Sequence, residues 1–465
     1  MDLTIRPQHF AEPLTGTTAN AVPRSKEEVP EQDSQDVVIL TRRLVGQFGK
    51  TDGVTVVKGT SGNDSIQIHN GKDGGLKIDI NGQERIFSKQ EVEKLIIDAG
   101  KGDDLIQADS DVTARLFITG GEGFDTIKGG SGDDVIVDNY GQGFIEAGAG
   151  NDVIIANGKD LHNPYNLSIV YGHDINGNVI SAGDGNDYIE GSSFNDLLIG
   201  NEGNNVIYGL NGDDVLLAGH GRNYIDGGQG NDYIEVQGSQ SMLFGGRGND
   251  VIESQGRASI IVDNYGRNTV NAPHGAEKSL VNAGVPFEIP DNFHIEGDKH
   301  FQERVASDLD TLAQVGIGQK MLSSIEATGY EVTIKETTNN GNSCNSGKDG
   351  HLKDTVLKTP GPGSSSTVSY NRGSLKIAGR PDAWTERPPV VGLFHELSHS
   401  YNAATGTMDY GCYRYDGTVA DDHLGLVGAE YQAVGLEHPL INSNPEGLNE
   451  NGMRELLGIE KRSYY

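Results

Sequence analysis

The feature that most restricts what this chain can fold into is a nine-residue period. Residues 182–253 divide without a gap into eight nonapeptides: AGDGNDYIE, GSSFNDLLI, GNEGNNVIY, GLNGDDVLL, AGHGRNYID, GGQGNDYIE, VQGSQSMLF and GGRGNDVIE. Their eighth position is always aliphatic, from Ile189 and Leu198 through to Leu243 and Ile252. A second block covers 120–155 as GGEGFDTIK, GGSGDDVIV, DNYGQGFIE and AGAGNDVII, and lone copies stand at 59–67 and 99–107. The glycines, 66 in the whole chain, allow tight turns with positive backbone angles. The short run that follows them ("DVI", "NYI") suits a strand, with the eighth side chain inward and its neighbours outward. Two nonapeptides then close one coil, so residues 18 apart stack. One coil cannot bury its own apolar face; stacking supplies the shared core. The period therefore predicts a parallel β-roll over 51–272, with an insertion at 156–181 and an end where "APHGAEKS" breaks the phase.

The sixth positions sort by edge. Asp196, Asp214, Asp232 and Asp250 fall on one edge, and Asp187, Asn205, Asn223 and Ser241 on the other. In the first block Asp134 stands above Asp152 on one edge and Asp125 above Gly143 on the other. The in-phase repeats resemble the calcium-binding nonapeptide G-G-x-G-x-D-x-U-x of the RTX family. That resemblance implies several structural Ca2+ ions between stacked turns, held by turn carbonyls and by Asp196, Asp214, Asp232, Asp250, Asp134 and Asp152. Ions are expected mainly on one edge, with few or none opposite. Twelve acids against two basic residues across 182–253 would repel one another without counter-ions.

The net charge of -31 argues against nucleic-acid binding, which needs clustered Lys and Arg. No apolar run is long enough to span a membrane. Two cysteines, Cys344 and Cys412, exclude a disulfide scaffold. Residues 1–50 are polar and rich in Pro, Ser and Thr, a composition that predicts a disordered segment and permits an export leader, with a secretion chaperone as candidate partner.

After a linker at 273–293 the composition changes, and 294–465 reads as a separate domain. Val305, Leu309, Leu312 and Val315 keep helical spacing, and Gly316 can end that helix. "YEVTIKE" alternates as a strand. Residues 336–366 read as a mobile loop, and "TVSYN" at 367–371 as a strand that could form the edge beside which a peptide lies. The stretch "RPPVVGLFHELSHSYNAATG" carries HELSH on a helix begun at Pro388–Pro389 and closed by Gly406. His395 and His399, four apart, share a face and can share one zinc, with Glu396 beside them as general base. Glu430 is the expected third ligand, on a short helix capped by Asp421 or Asp422 and on one face with Val427 and Val434; His423 and Asp422 are reserves. One of Tyr410, Tyr413 and Tyr415 could stabilise an oxyanion, as more weakly could His438.

The segments "HIEGDKHFQERVASDLDTLAQVGIGQKMLSSIEATGYEVTI", "PPVVGLFHELSHSYNAATGT", "EYQAVGL" and "NENGMRELLGIEKRSYY" resemble, in order, the NleD-like effector metallopeptidases. The resemblance implies an α+β zincin-like metalloprotease domain behind the roll, with one catalytic Zn2+ on His395, His399 and Glu430. It further implies a secreted bacterial effector, delivered by type III secretion into the host cytoplasm, that cleaves a host protein of the MAP-kinase type. Two other readings use the same residues: a calcium-dependent extracellular binding protein or adhesin with a vestigial HELSH, and an RTX protease exported by a type I system.

Overall fold

The structure, a computed structural model, describes residues 54–138, 142–156, 174–256, 260–262, 265–272, 277–279, 288–337, 342–347, 360–371, 389–408, 412–413, 426–427, 432–434, 448–457 and 461. Residues 1–50 lie outside this set. The repeats wind into two facing sheets, of 11 and 12 strands, and successive nonapeptides alternate between them. Strand partners stand one coil apart in parallel register, as in Val206↔Tyr224 and Val215↔Tyr233. The insertion stretches one such step, so that Val153 pairs with Tyr188. The last strand of the 11-stranded sheet, Glu277–Ser279, lies beyond the expected end at 272. At the other end the regular winding gives way to an antiparallel meander, Ser65–Asn70, Leu76–Ile80 and Gln83–Phe87. Its tight turn is Asn81-Gly82, both at positive φ (53° and 83°), as a two-residue hairpin turn requires.

Every eighth-position aliphatic from Ile189 to Ile252 is fully buried, in a single file between the sheets. The turns admit little else than glycine. At Gly230, φ is 140°, and a Cβ would lie 1.8 Å from the Gly212 carbonyl oxygen of the coil below.

The outward face of the 11-stranded sheet is covered too. Tyr188, Tyr208, Tyr224 and Phe244 form a ladder with ring centroids 6.1, 5.5 and 5.4 Å apart. Across it lies the helix Lys299–Gln314, N-capped by Asp298. Sequence periodicity identified one face of this helix: Val305, Leu309 and Leu312 are buried in the C-terminal core. The opposite face is polar but equally buried, against the roll. Arg304 is fully buried, its guanidinium 3.4 Å over the Tyr208 ring, and it pairs with Glu190 at 3.3 Å and with Asp308. Tyr370 donates to Asp308 at 2.7 Å, and Ser307 and Thr311 donate to Asp226 at 3.1 and 2.7 Å. Arg247 of the roll grips Asp310 through two 2.6 Å hydrogen bonds. Roll and C-terminal region thus share one apolar cluster, threaded by the buried ion pairs of Arg304 with Glu190 and Asp308.

The C-terminal sheet has four strands in the order Phe293–Glu296, Val332–Glu336, Ser366–Tyr370, Ser343–Ser346. The first three are parallel and the last is antiparallel at the edge. Two expectations are corrected here. The stretch 336–366 is not wholly loop, because it contains the Ser343–Ser346 strand, and this strand, not "TVSYN", forms the edge. The polar sequence "SCNS" hid it: an edge strand with one face partly open has no need of apolar alternation. Among the described residues no helix is long and apolar enough to cross a membrane.

Candidate functional site

The motif helix runs Pro389–Ala404 and ends before Gly406, whose φ is +68°. Val390, Val391, Leu393, Phe394 and Leu397 bury it in the domain core. Its buried hydroxyls turn back onto the helix: Ser398 Oγ donates to the Phe394 carbonyl at 3.1 Å and Ser400 Oγ to that of Glu396 at 3.3 Å. Ser398 also reaches the Leu448 carbonyl at 3.3 Å, fastening the segment that leads into the helix Glu450–Leu456. Asn449 caps that helix by accepting from the Gly452 amide at 2.9 Å.

This second helix supplies what motif reading missed. Glu450 is fully buried, and its Oε2 lies 3.0 Å from His395 Nδ1. Its Oε1 accepts from Arg454 Nε at 2.7 Å. A buried carboxylate facing Nδ1 holds the imidazole proton there, so the Nε2 lone pair is left for a metal. His399 Nε2 stands 3.3 Å from His395 Nε2, with the rings 83° apart. Two nitrogen ligands on a tetrahedral zinc, each at about 2.0–2.1 Å, would stand about 3.3 Å apart. The pair therefore fits a zinc ion, with Glu396 adjacent and only 5% exposed. The visible trace of Glu450 and Arg454 in the sequence was their i,i+4 spacing in "NENGMREL".

Among the described residues no third His, Cys, Asp or Glu side chain completes a cluster with the two histidines. Glu430, the reserves Asp422 and His423, and Tyr410, Tyr415 and His438 lie outside the described residues. Tyr413 is described in backbone only, in the strand Cys412–Tyr413 paired antiparallel with Leu426–Val427. Val427 is thus extended, which corrects the expectation that it shares a helical face with Glu430; helix is described only at 432–434. Gln432 there donates to the Thr407 carbonyl at 3.2 Å, bringing this segment to the end of the motif helix.

On the roll, each sixth-position side chain ties two coils. Asp214 Oδ1 accepts the Asp196 amide at 2.8 Å, Asp232 Oδ1 that of Asp214 at 2.9 Å, and Asp250 Oδ1 that of Asp232 at 3.0 Å. The second oxygens of Asp214 and Asp232 are buried with no partner among the described residues. A Cβ on Gly209 would meet Asp214 Oδ2 at 2.4 Å and the Gly227 carbonyl at 2.5 Å, so carboxylate and carbonyl oxygens converge over that glycine. Hard oxygen donors of this kind suit calcium. On the opposite edge Asn205 and Asn223 make the same amide tie, but Asn205 Nδ2 donates to the Gly200 carbonyl at 3.1 Å. The amide hydrogen there takes the place that a cation would have beside an aspartate.

The expected one-sided distribution needs one correction. Asp134 and Asp152 do not continue the Asp196–Asp250 column. They lead through Asp187 into Asn205 and Asn223, because Asp152 Oδ1 accepts from Asp134, Asp187 from Asp152 and Asn205 from Asp187. The Asp196 column instead continues upward through Asn178 to Gly143. The acidic run changes edges at the insertion, where the chain supplies an uncharged sixth position at Asn178.

The family comparisons match this division. The model of the M91 peptidase family, described as effector protein, matches residues 290–465. The model of the RTX calcium-binding nonapeptide repeat matches 117–137, 137–160, 177–198, 199–234 and 242–256. A region matching the effector-peptidase model thus follows repeats that match the RTX model. No curated protein and no solved structure matches the chain. The peptidase match begins ahead of the Phe293–Glu296 strand, so the helix Lys299–Gln314 that docks on the roll lies within the matched region.

Proposed function

We propose that this chain is a secreted effector zinc endopeptidase that cleaves a host-cell protein, with its calcium-binding roll as a fixed scaffold. The observation that carries the reading is the convergence of His395 and His399 Nε2 at 3.3 Å, with Nδ1 of His395 held from behind by Glu450. His395 and His399 would hold the zinc, with Glu430 as third ligand. When bound, the metal would polarise the scissile carbonyl and make an attacking water more acidic. Glu396 would take the proton from that water and return it to the departing amine. An extended peptide would add to the Ser343–Ser346 edge strand, which lies against the motif helix: Cys344 Sγ is 3.5 Å from Ser400 Oγ. Type III delivery into the host cytoplasm, a secretion chaperone on residues 1–50 and a MAP-kinase-type substrate extend this reading by family resemblance.

Incubation of host lysate with wild type and Glu396→Gln, read by mass spectrometry of new protein termini, tests it. Cleavage products should appear with wild type and fall by at least about 100-fold with the variant. Equal cleavage by both would exclude Glu396 as the base.

A further inference from the structure

The nonapeptide DNYGQGFIE at 138–146 breaks the repeat rule at two places. Its sixth position is Gly143 where an aspartate is expected, and its first is Asp138 where a glycine is expected. The structure shows these two departures to be one exchange. Elsewhere the second oxygen of a sixth-position aspartate lies over the first-position glycine of its own repeat, 2.4 Å from a Cβ built on Gly209 and 2.5 Å from one built on Gly227. In 138–146 the partners are swapped and the closeness is kept: Asp138 Oδ2 lies 2.5 Å from a Cβ built on Gly143. The carboxylate that Gly143 lacks has been supplied from five residues earlier in the chain.

The slot it enters is stacked on Asp125, since Gly143 and Asp125 are register partners in neighbouring strands. Asp138 is fully buried, and neither of its carboxylate oxygens has a hydrogen-bond partner among the described residues. Asp125 Oδ1 is tied by the Asp104 amide at 2.9 Å, but its Oδ2 is buried and unpartnered, as is Asp104 Oδ2. The Asp125 carbonyl oxygen is 3.3 Å from the same Cβ position on Gly143. Burial first, and a nearby carboxylate second, raises the pKa of both Asp125 and Asp138: Asp138 acts on Asp125, and Asp104 on Asp138. Among the described residues no basic side chain is paired with either. An uncompensated buried carboxylate with both oxygens open is costly, and a bound cation removes the cost.

We infer that Asp138 and Asp125, completed by backbone carbonyls such as that of Asp125, form a calcium site at a coil whose own sixth position, Gly143, supplies no carboxylate. Oxygen-only donors drawn from two carboxylates and turn carbonyls favour Ca2+ over zinc. The site lies on the edge of the 12-stranded sheet, the edge that carries Asp196 to Asp250 further along.

The test is calcium stoichiometry of the full chain, measured by equilibrium dialysis with calcium alone, in wild type, Asp138→Asn and the paired exchange Asp138→Gly with Gly143→Asp. Asp138→Asn should bind one calcium fewer per chain. The paired exchange moves the carboxylate to the consensus position and should restore the wild-type number. Should Asp138→Asn fail to fold by circular dichroism, the paired exchange decides alone: folded with the wild-type calcium number supports the site. An unchanged stoichiometry in Asp138→Asn, or a paired exchange that is unfolded or binds fewer ions, would overturn it.

Discussion

The edges of the roll and the motif helix solve the same problem with different partners. In both, a buried polar side chain is tied at one atom and turns another toward a shared point. On the roll the tie is a backbone amide one coil away, as for Asp214 and the Asp196 amide, and it recurs along the stack. On the motif helix the tie is a single carboxylate, Glu450, 55 residues along the chain from His395. The roll's tie thus recurs between successive coils, whereas the motif's tie joins two helices far apart in the chain. Between the two lies the helix Lys299–Gln314, whose polar face is buried against the roll and whose apolar face supports the C-terminal core.

The sharpest way to break that comparison is at the helix between them. Arg304→Ala leaves Glu190 and Asp308 buried without their cation, and should cost about 3–5 kcal/mol. If the roll is a fixed scaffold, the peptidase domain should unfold at lower denaturant while the far repeats keep their circular dichroism signal. An unchanged midpoint would mean that the two regions are merely adjacent.

What could be read from the sequence follows the same line. The eighth-position file, the coil stacking and the amphipathic spacing of Val305, Leu309 and Leu312 were legible because each repeats with a period fixed by geometry. His395 and His399 were legible because four-residue spacing on a helix is itself a distance. Three features were not. The edge crossing of the acidic run depends on where the insertion re-enters the phase, which places Asn178 in the Asp196 column. The Ser343–Ser346 edge strand lacks alternation. The buried polar face of Lys299–Gln314, with Arg304, Asp308 and Thr311, reads in sequence as a solvated face, and only the tyrosine ladder opposite explains it.

A smaller effect is expected at Glu450. Glu450→Gln places an amide in the carboxylate position. An amide donor facing His395 Nδ1 would shift the imidazole proton to Nε2, where it blocks a metal. Zinc affinity, measured by competition with a chelator, should fall about 10–100-fold, with the fold retained. Unchanged affinity would show that His395 needs no positioning from behind.

The smallest expected effect is a pH slope at the interface. Burial raises Asp226 from 3.8 to about 7, against the opposing hydrogen bonds from Thr311 and Ser307. Its folded pKa exceeds its unfolded one, so the folded state holds the extra proton between those values and stability falls as pH rises through that window. Asp226→Asn should flatten the dependence of the melting temperature between pH 4 and 7 by a few degrees; an identical slope would assign it elsewhere.

The central claim is that the helix bearing HELSH holds a working zinc centre, and elemental analysis of the purified full chain after zinc supply tests it most directly. One zinc per chain is predicted in wild type and in Glu396→Gln, and none in His395→Ala combined with His399→Ala. A folded wild-type chain that binds calcium but no stoichiometric zinc would contradict it.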